Sequence, residues 1–583
     1  MKLLLTLALP VLLLLGCSNE NDNNESSSVE DIKLDKAPSI SEENKPEAIK
    51  VDVLTQLTVN TDSAYIPPQC YTEVKDESGV HNPCYACHVN GTRPNYLHDD
   101  GELPLSYDFT GYSSTNRYAN LFKDRTDLVA KISDLEIDQY VSEDNYKEDD
   151  GSIILTEKLN NLPKDWDSNK DGIWDGFKPD AYFHFDNEGF DINPSGQPTG
   201  WVAFAYYPFL GAFWPTNGST DDVLIRLPES FRNNTQGKFD KEVYKINLAV
   251  VESVIREKDI NIPQIDETQY DVDLNRDGQL STADKVVYQW QPLSDVHMSY
   301  VGQAKDEYTT KTTEMAAGLY PKGTEFLHSV RYLSIDNGQV SISKRMKELR
   351  YSVKETWNNY SQLSNAVSGE IKERHDFPDR LATYSTSRKS GMEKGLYNGR
   401  GWRYQGFIED SNGDLRPQSY EETLFCMGCH TGVGATTDAS FAFPRKFDLN
   451  TFQQGYYHWS QKGFDGVKDP ARHDGKLEYT YYLENNRSGN EFRTNDEVET
   501  KFFSNGALKP EMAEKLKNDI SELLVPSVER ARKLNKAYKV IVDEQSYIYG
   551  RDAHIKPLDA VVKKTIPIGE DTGIETAISA PKL

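Results

Sequence analysis

The chain has 583 residues and a formal net charge of −27 at pH 7. A general nucleic-acid binder needs a basic face, so this acidic balance excludes that class of partner and favours a basic protein partner. The length allows about two to four domains of ordinary size, and 33 tyrosines supply aromatic surface for a large core.

The first residues predict export. Met1 and Lys2 precede an apolar run from Leu3 to Leu15, which is shorter than the roughly 20 residues of a membrane-spanning helix but typical of a signal peptide. Leu14-Leu15-Gly16-Cys17 resembles the bacterial lipobox. The resemblance implies that residues 1–16 are removed and that Cys17 carries lipid. The alternative is an ordinary signal peptide with a cysteine there by chance.

Residues 17–50 are predicted to be a lipidated cysteine followed by a flexible tether. The stretch from Ser18 to Ser28 contains no apolar residue, so it cannot bury enough surface to offset its ordering entropy. Lipoproteins kept at the inner membrane often have aspartate after the lipidated cysteine, whereas this chain has Ser18. The sequence therefore predicts an outer-membrane lipoprotein on the periplasmic or cell-surface side, held by lipid alone.

Four of the six cysteines form two copies of one pattern. The copies are Cys84-Tyr85-Ala86-Cys87-His88 and Cys426-Met427-Gly428-Cys429-His430. C-x-x-C-H is the spacing that attaches haem c: two thiols bond to the porphyrin edge and the histidine coordinates iron. The motifs resemble those of bacterial dihaem c-type cytochromes, which implies two covalent haems with His88 and His430 as proximal ligands.

Two other interpretations of the cysteines are weaker. Zinc sites with two C-x-x-C pairs usually have about 15–20 residues between the pairs, whereas these are about 340 apart. A thioredoxin-like dithiol does not require the following histidine. Cys70 is left over and is predicted to be a buried thiol.

Candidates for the second axial ligand come from apolar or aromatic context. They are His328 at the first haem, His458 at the second, and His297 in reserve. A ligand on both faces of each iron would favour electron transfer, whereas an open face would favour substrate chemistry.

Two acidic loops predict calcium. The first resembles an EF-hand or dockerin-type loop, with oxygen ligands at alternating positions, glycine at the sixth and a carboxylate at the twelfth. Its candidate ligands are Asp273, Asn275, Asp277, Gln279 and Asp284. The second loop begins in the same way but lacks a carboxylate at position twelve, and its candidates are Asp167, Asn169, Asp171, Ile173 and Asp175. The alternative for both is a solvated Asx-rich turn.

The remaining patterns predict an α+β fold. Trp201–Tyr207 and Val223–Leu227 are strand-like, Asn337-Gly338 predicts a hairpin turn, Ser419–Glu422 is a capping box, and two helices are predicted over 511–524 and 528–543. We expect a first haem segment at 51–165, a β-rich body with the calcium loops at 166–400, and a second haem domain with C-terminal helices at 401–583. The haems would lie in helical or loop segments.

These features together predict a dihaem electron carrier with a redox protein partner. The alternative is a dihaem oxidoreductase, peroxidase-like or acting on a small inorganic or sulfur substrate, with one open haem. A structural calcium module that carries haem is a third possibility. The long body between the motifs is more than a simple carrier needs, which keeps the enzyme open.

Overall fold

The structure, a computed structural model, is described here for residues 46–72, 74–76, 79–81, 109, 111–208, 215–294, 296–377, 379–387, 391–431, 437–447, 455–471, 475–486, 495–560 and 562–569. These described residues belong to one compact unit. Helices and antiparallel strands are both well represented in it, which confirms the α+β prediction at that level.

Sixteen strands occur in the described residues. They are β1 Val74–Asp76, β2 Gly79–His81, β3 Phe190–Ile192, β4 Pro198–Ala203, β5 Thr220–Asp221, β6 Leu224–Arg226, β7 Ile260–Asp266, β8 Thr282–Val286, β9 Glu325–Asp336, β10 Gln339–Lys354, β11 Thr386–Ser387, β12 Gly391–Tyr397, β13 Trp402–Glu409, β14 Leu415–Pro417, β15 Phe503–Ser504 and β16 Ala507–Leu508.

Ten of these strands form one antiparallel sheet, in the order β11-β12-β13-β10-β9-β6-β4-β3, with β14 beside β13 and β5 beside β9. The strands β7 and β8 form a separate two-stranded sheet, as do β1 with β2 and β15 with β16. The large sheet contains strands from residue 190 to residue 417. It therefore crosses the boundary that the sequence placed at residue 400.

The long hairpin β9–β10 is the centre of the sheet. Asn337 and Gly338 at its tip have φ of 52° and 79°, the conformation that a tight two-residue hairpin turn requires, so the predicted hairpin is confirmed. On β9 His328 lies opposite Arg350 of β10, which in turn lies opposite Gly406 of β13. This register brings His328 and Arg350 to neighbouring positions on the sheet.

Thirteen α-helices occur in the described residues. They are α1 Thr126–Lys131, α2 Asp134–Ser142, α3 Ile154–Asn160, α4 Lys241–Arg256, α5 Gln303–Thr309, α6 Tyr360–Asp376, α7 Tyr420–Cys429, α8 Ala442–Arg445, α9 Glu478–Asn486, α10 Asp496–Phe502, α11 Pro510–Asn518, α12 Ser521–Leu524 and α13 Val528–Glu544. The predicted C-terminal helices are confirmed by α11 to α13.

The helices cover the sheet in groups. Helices α2 and α13 pack on β9, and α7 packs on β12 and β13. Helix α4 begins at Asp240, whose carboxylate accepts from the backbone N–H groups of Glu242 and Val243, and it is buried along most of its length. Its apolar side chains form the largest core together with those of the sheet. Among the described helices, none combines the length and hydrophobicity needed to cross a bilayer.

Candidate functional site

Helix α7 carries the second C-x-x-C-H motif, and its first turn is firmly held. Ser419 accepts from the Glu422 backbone N–H at 3.3 Å, and the Glu422 carboxylate accepts from the Ser419 N–H at 2.8 Å, so the predicted capping box is confirmed. The same carboxylate binds the Arg416 guanidinium through two contacts of 2.8 Å. Burial acts to raise the Glu422 pKa, but Arg416 and the capping hydrogen bond hold it below its usual range.

A second carboxylate ties the helix to a distant part of the chain. The Glu421 oxygens accept from the backbone N–H groups of Val59, Asn60 and Thr61 at 2.6, 2.7 and 2.8 Å. Glu421 is buried. A charged acceptor that collects three N–H donors away from bulk water forms strong hydrogen bonds, so the segment around residue 60 is fixed to the start of α7.

The two residues between the cysteines anchor the motif in the core. Met427 is fully buried, and a Cβ added at Gly428 would lie 2.0 Å from the Tyr65 carbonyl oxygen. Cys426, Cys429 and His430 stand at positions i, i+3 and i+4, which share one face of a helix. Met427 and Gly428 therefore face the packed interior while both thiols and the imidazole share a different side.

The two thiols are free and partly accessible. Neither Cys426 nor Cys429 is in a disulfide, and both remain partly accessible to solvent. Burial nevertheless raises the pKa of both thiols, that of Cys429 to about 12. Both sulfurs are protonated and reduced at neutral pH.

His430 is held in one tautomer. Its Nδ1 lies 2.9 Å from the Ala439 carbonyl oxygen, which can only accept, so Nδ1 carries the proton. Burial lowers the His430 pKa to about 4, and the ring is neutral at physiological pH. The Nε2 lone pair is thus available, which is the arrangement that a metal-binding imidazole uses.

Aromatic rings surround the motif. The Tyr404 ring lies 4.9 Å from His430, the Phe441 ring lies 5.8 Å from it, and Phe425 stacks on Tyr65 at 4.0 Å. The Arg551 guanidinium lies 4.4 Å above Phe425 and binds Glu348 at 2.6 Å. The motif therefore lies among aromatic rings, beside a guanidinium that is already paired with a carboxylate.

The structure places the three histidine candidates differently. His328 lies on β9 opposite Arg350, and burial is the main cause that lowers the His430 pKa, with a smaller contribution from the charge of His328. The His328 Nδ1 lies 3.5 Å from Asp221; that hydrogen bond and charge raise the His328 pKa against the opposing effect of burial. His297 packs against Trp290 and Tyr308.

Both ring nitrogens of His458 are engaged in hydrogen bonds. Nε2 lies 2.8 Å from Asp222 and Nδ1 lies 2.7 Å from the Ser460 hydroxyl. An imidazole must give up one such bond to bind iron, so this geometry favours His328 over His458 as an iron ligand. The first motif, Cys84, Cys87 and His88, lies outside the described residues, as does Cys17.

The two acidic loops share one architecture. In the first, Asp273 accepts from the N–H groups of Asp277 and Gly278 at 3.2 and 2.9 Å, and Asn275 accepts from Asp277 at 3.0 Å. In the second, Asp167 accepts from Gly172 at 3.0 Å, and Asn169 accepts from Asp171 at 3.0 Å. These are the backbone contacts of Asx-rich turns. The first loop joins strands β7 and β8, not two helices.

Sequence reasoning missed the glutamate that closes each loop. Buried Glu267 accepts from the N–H groups of Leu274, Asn275 and Ser281 at 2.6, 3.1 and 3.0 Å. Glu393 accepts at the equivalent positions of the second loop, from Ser168, Asn169 and Asp175 at 2.9, 3.4 and 2.8 Å. Asp284, the predicted closing ligand, is exposed on β8. Glu393 lies too far along the chain from the loop that it closes for a local sequence pattern to reveal it.

In the part of the chain that the structure describes, no three histidine, cysteine, aspartate or glutamate side chains converge as they would around a metal ion. A calcium loop also uses amide and backbone oxygens, and a haem iron needs at most two protein ligands. Both cofactors therefore stay predictions.

Comparison with known proteins identifies the family. A family model described as a “-like lipoprotein” matches residues 54–518. An uncharacterized lipoprotein of Aquifex aeolicus (strain VF5) is 30% identical over 565 residues, covering 87% of this chain and 88% of the relative. No solved structure matches the chain. The chain belongs to this lipoprotein family, and it is a membrane-associated protein anchored by lipid, as the lipobox predicted.

The family assignment corrects the resemblance to dihaem c-type cytochromes. The matching family and the relative are both lipoproteins by description, and neither is described as a cytochrome. The resemblance was wrong because it depended on two pentapeptides, whereas the family match extends over most of the chain. What the Cys426–His430 site binds is a separate question, because it depends on that site's own chemistry.

Proposed function

We propose that this lipoprotein transfers electrons through a haem c held by Cys426, Cys429 and His430. When bound, this group supplies an iron couple that takes up and releases one electron. The cysteines would hold it covalently and His430 would bind the iron through Nε2. The observation that supports this best is the neutral His430 ring, whose Nδ1 proton is committed to Ala439.

The protein environment fits such a group. The Ala439 carbonyl orients the imidazole and makes Nε2 more basic, as hydrogen-bonded partners of metal ligands commonly do. Gly428 lets α7 lie directly against the Tyr65 backbone, which fixes the depth of both thiols. Tyr404 and Phe441 pack against the imidazole, and Arg350 and Arg551, both paired with Glu348, carry charge near Cys426.

His328 is the second residue that we propose would hold the group. Its charge is one of the smaller effects that lower the His430 pKa, and its Nδ1 lies 3.5 Å from an Asp221 carboxylate oxygen, so Nε2 would be the atom offered to iron. Protein ligands on both faces would limit rearrangement on electron transfer and favour a carrier over an enzyme.

The test is a measurement of covalent haem. We expect the mature wild-type protein to carry two haems by intact mass, and a Cys426→Ala/Cys429→Ala variant to carry one. Cys70→Ala is the matched control, because Cys70 lies near Cys429 but outside the motif, and it should retain both. Bound zinc without haem, or an unchanged mass in the double variant, would rule the proposal out.

The alternative function, an oxidoreductase, is distinguished from the electron carrier by how fast an external ligand binds the iron. With His328 on the iron, the reduced wild type should bind carbon monoxide slowly, and His328→Ala should bind it rapidly with a high-spin spectrum. Rapid binding in the wild type, or peroxide turnover above that of free haem, would favour the enzyme.

The location and partner follow from the same proposal. Ser18 in place of aspartate favours the outer membrane, on the periplasmic or cell-surface side. A redox protein with a basic docking face would complement the net charge of −27 and gain on-rate from electrostatic steering. Calcium at the two acidic loops would stabilise the fold and take no part in electron transfer.

A further inference from the structure

A serine, a histidine and an aspartate form a hydrogen-bonded chain outside the haem site. The Ser460 hydroxyl lies 2.7 Å from His458 Nδ1, and His458 Nε2 lies 2.8 Å from Asp222 Oδ2. Asp222 and His458 are buried, whereas Ser460 is exposed. In a Ser-His-Asp arrangement the reactive hydroxyl has to be accessible to solvent, while its histidine and aspartate partners are buried. The exposure of these three residues meets that requirement.

The direction of each hydrogen bond can be deduced. The Ser460 backbone N–H also lies 3.1 Å from His458 Nδ1. A backbone N–H can only donate, so Nδ1 is an acceptor and carries no proton. The proton is therefore on Nε2, where it is donated to Asp222. His458 is thus in the tautomer that a general base for the Ser460 hydroxyl requires.

Asp222 is held in its ionised form. It accepts from the Ser329 backbone N–H at 2.5 Å and from the Ser329 hydroxyl. Burial acts to raise the Asp222 pKa, but the bond to His458 and the charge of Arg331 keep it below its usual range. The His458 ring is stacked on Phe185 at 4.7 Å, so its orientation is fixed from two sides.

Ser460 and Trp459 both line a cavity of about 790 Å³. This volume is typical of a small-molecule site. Among the described residues that line it, three are the aspartates Asp221, Asp336 and Asp465, and none is lysine or arginine. Negative walls disfavour anions, so the cavity suits a neutral or cationic ligand.

We propose that Ser460 is a nucleophile, activated by His458 and Asp222, that hydrolyses neutral or cationic esters in this cavity. The Ser460 oxygen bonds to the acyl carbon while its proton passes to Nδ1. The ester C–O bond then breaks, and the leaving alcohol takes that proton. Water adds to the acyl-serine in the same way, which releases the acid and restores the hydroxyl. No redox step is involved.

The first test is covalent labelling of the full chain with phenylmethanesulfonyl fluoride, mapped by peptide mass spectrometry. We expect a sulfonyl adduct on Ser460 with loss of fluoride. Ser460→Ala should abolish it; this residue is exposed, so the fold is expected to survive. Ser341→Ala is the matched control, because Ser341 lines the same cavity but bonds to Asp336, and the adduct should persist.

The role of Asp222 is tested by Asp222→Asn, which should slow labelling by about 10²-fold or more, because His458 would lose the carboxylate that holds its tautomer and would be a weaker general base. If that variant does not fold, Ser460→Cys replaces it, and its thiol should react with iodoacetamide faster than Cys70. An unlabelled Ser460, or equal labelling rates in wild type and folded Asp222→Asn, would overturn the proposal that Ser460 is an activated nucleophile. Equal rates of cleavage of p-nitrophenyl acetate and of its anionic hemisuccinate analogue would overturn the proposed preference for neutral or cationic esters.

Discussion

At the scale of single residues, Gly428 decides whether the Cys426–His430 site can form. Any side chain there would collide with the Tyr65 carbonyl oxygen, and that contact sets how close α7 lies to the segment near residue 65. The residue between two functional cysteines is therefore constrained by packing and not by chemistry.

We predict that Gly428→Ala lowers the free energy of unfolding by about 1–3 kcal/mol, the usual cost of overpacking a core. It should also reduce haem at this site. Gly369→Ala is the control, because a Cβ there meets nothing within 4 Å and a helical alanine is favoured by about 0.5–1 kcal/mol over glycine. Denaturant unfolding would measure both, and an unchanged Gly428→Ala midpoint would contradict the packing argument.

At the scale of the helix, Glu422 joins the start of α7 to the sheet. Its carboxylate caps the helix and neutralises buried Arg416. Because its folded pKa is lowered, it contributes stability above the unfolded pKa, near 4.5, and that contribution is lost as pH falls below this value.

We predict that Glu422→Gln destabilises the protein by about 3–5 kcal/mol at pH 7, because it leaves a buried arginine charge unpaired. The difference from wild type should shrink as pH falls from 5 towards 3. Glu529→Gln, in an exposed pair with Lys533, should stay near wild type throughout. A pH-independent difference would show that the carboxylate charge is not what stabilises α7.

At the scale of the loops, a chelation experiment distinguishes bound calcium from solvated acidic turns. Asp277→Ala removes an oxygen ligand from the first loop. We predict that chelator lowers the wild-type melting temperature, since bound metal adds stability through linkage, and that the shift is smaller in the variant. Asp52→Ala disrupts an Asx turn to the Leu54 N–H in a segment whose third residue is apolar, and it should leave the shift intact. A wild-type melting curve indifferent to chelator would leave both loops as acidic turns.

At the scale of the whole molecule, Cys17 is the residue that the lipobox predicts to carry the lipid anchor. We predict that Cys17→Ser moves the protein from the membrane fraction to the soluble fraction, because no helix among the described residues can replace the lipid. Cys70→Ser should remain in the membrane fraction. Membrane retention of Cys17→Ser would show that another segment or a partner holds the protein.

Local sequence signals predicted the elements whose contacts are short in sequence. The Ser419–Glu422 capping box, the Asn337-Gly338 turn and the C-terminal helices all depend on hydrogen bonds between residues a few positions apart. The lipobox also works locally, because it is recognised as a linear segment. The spacing of the Cys426–His430 motif likewise indicated one face of a helix, because its residues are only a few positions apart.

Local signals failed where the partner comes from a distant strand. Glu393 closes a loop at residues 167–175, His328 lies opposite Arg350 on the sheet, and Asp222 reaches His458 across 236 positions. Two pentapeptides also suggested the wrong family, because a short motif carries no information about the body that holds it. The sequence by itself determined the export signal, the helix cap, the hairpin turn and the cysteine spacing. Only the tertiary structure decided which carboxylates and histidines meet, because strand order and register are set by burial of the whole sheet.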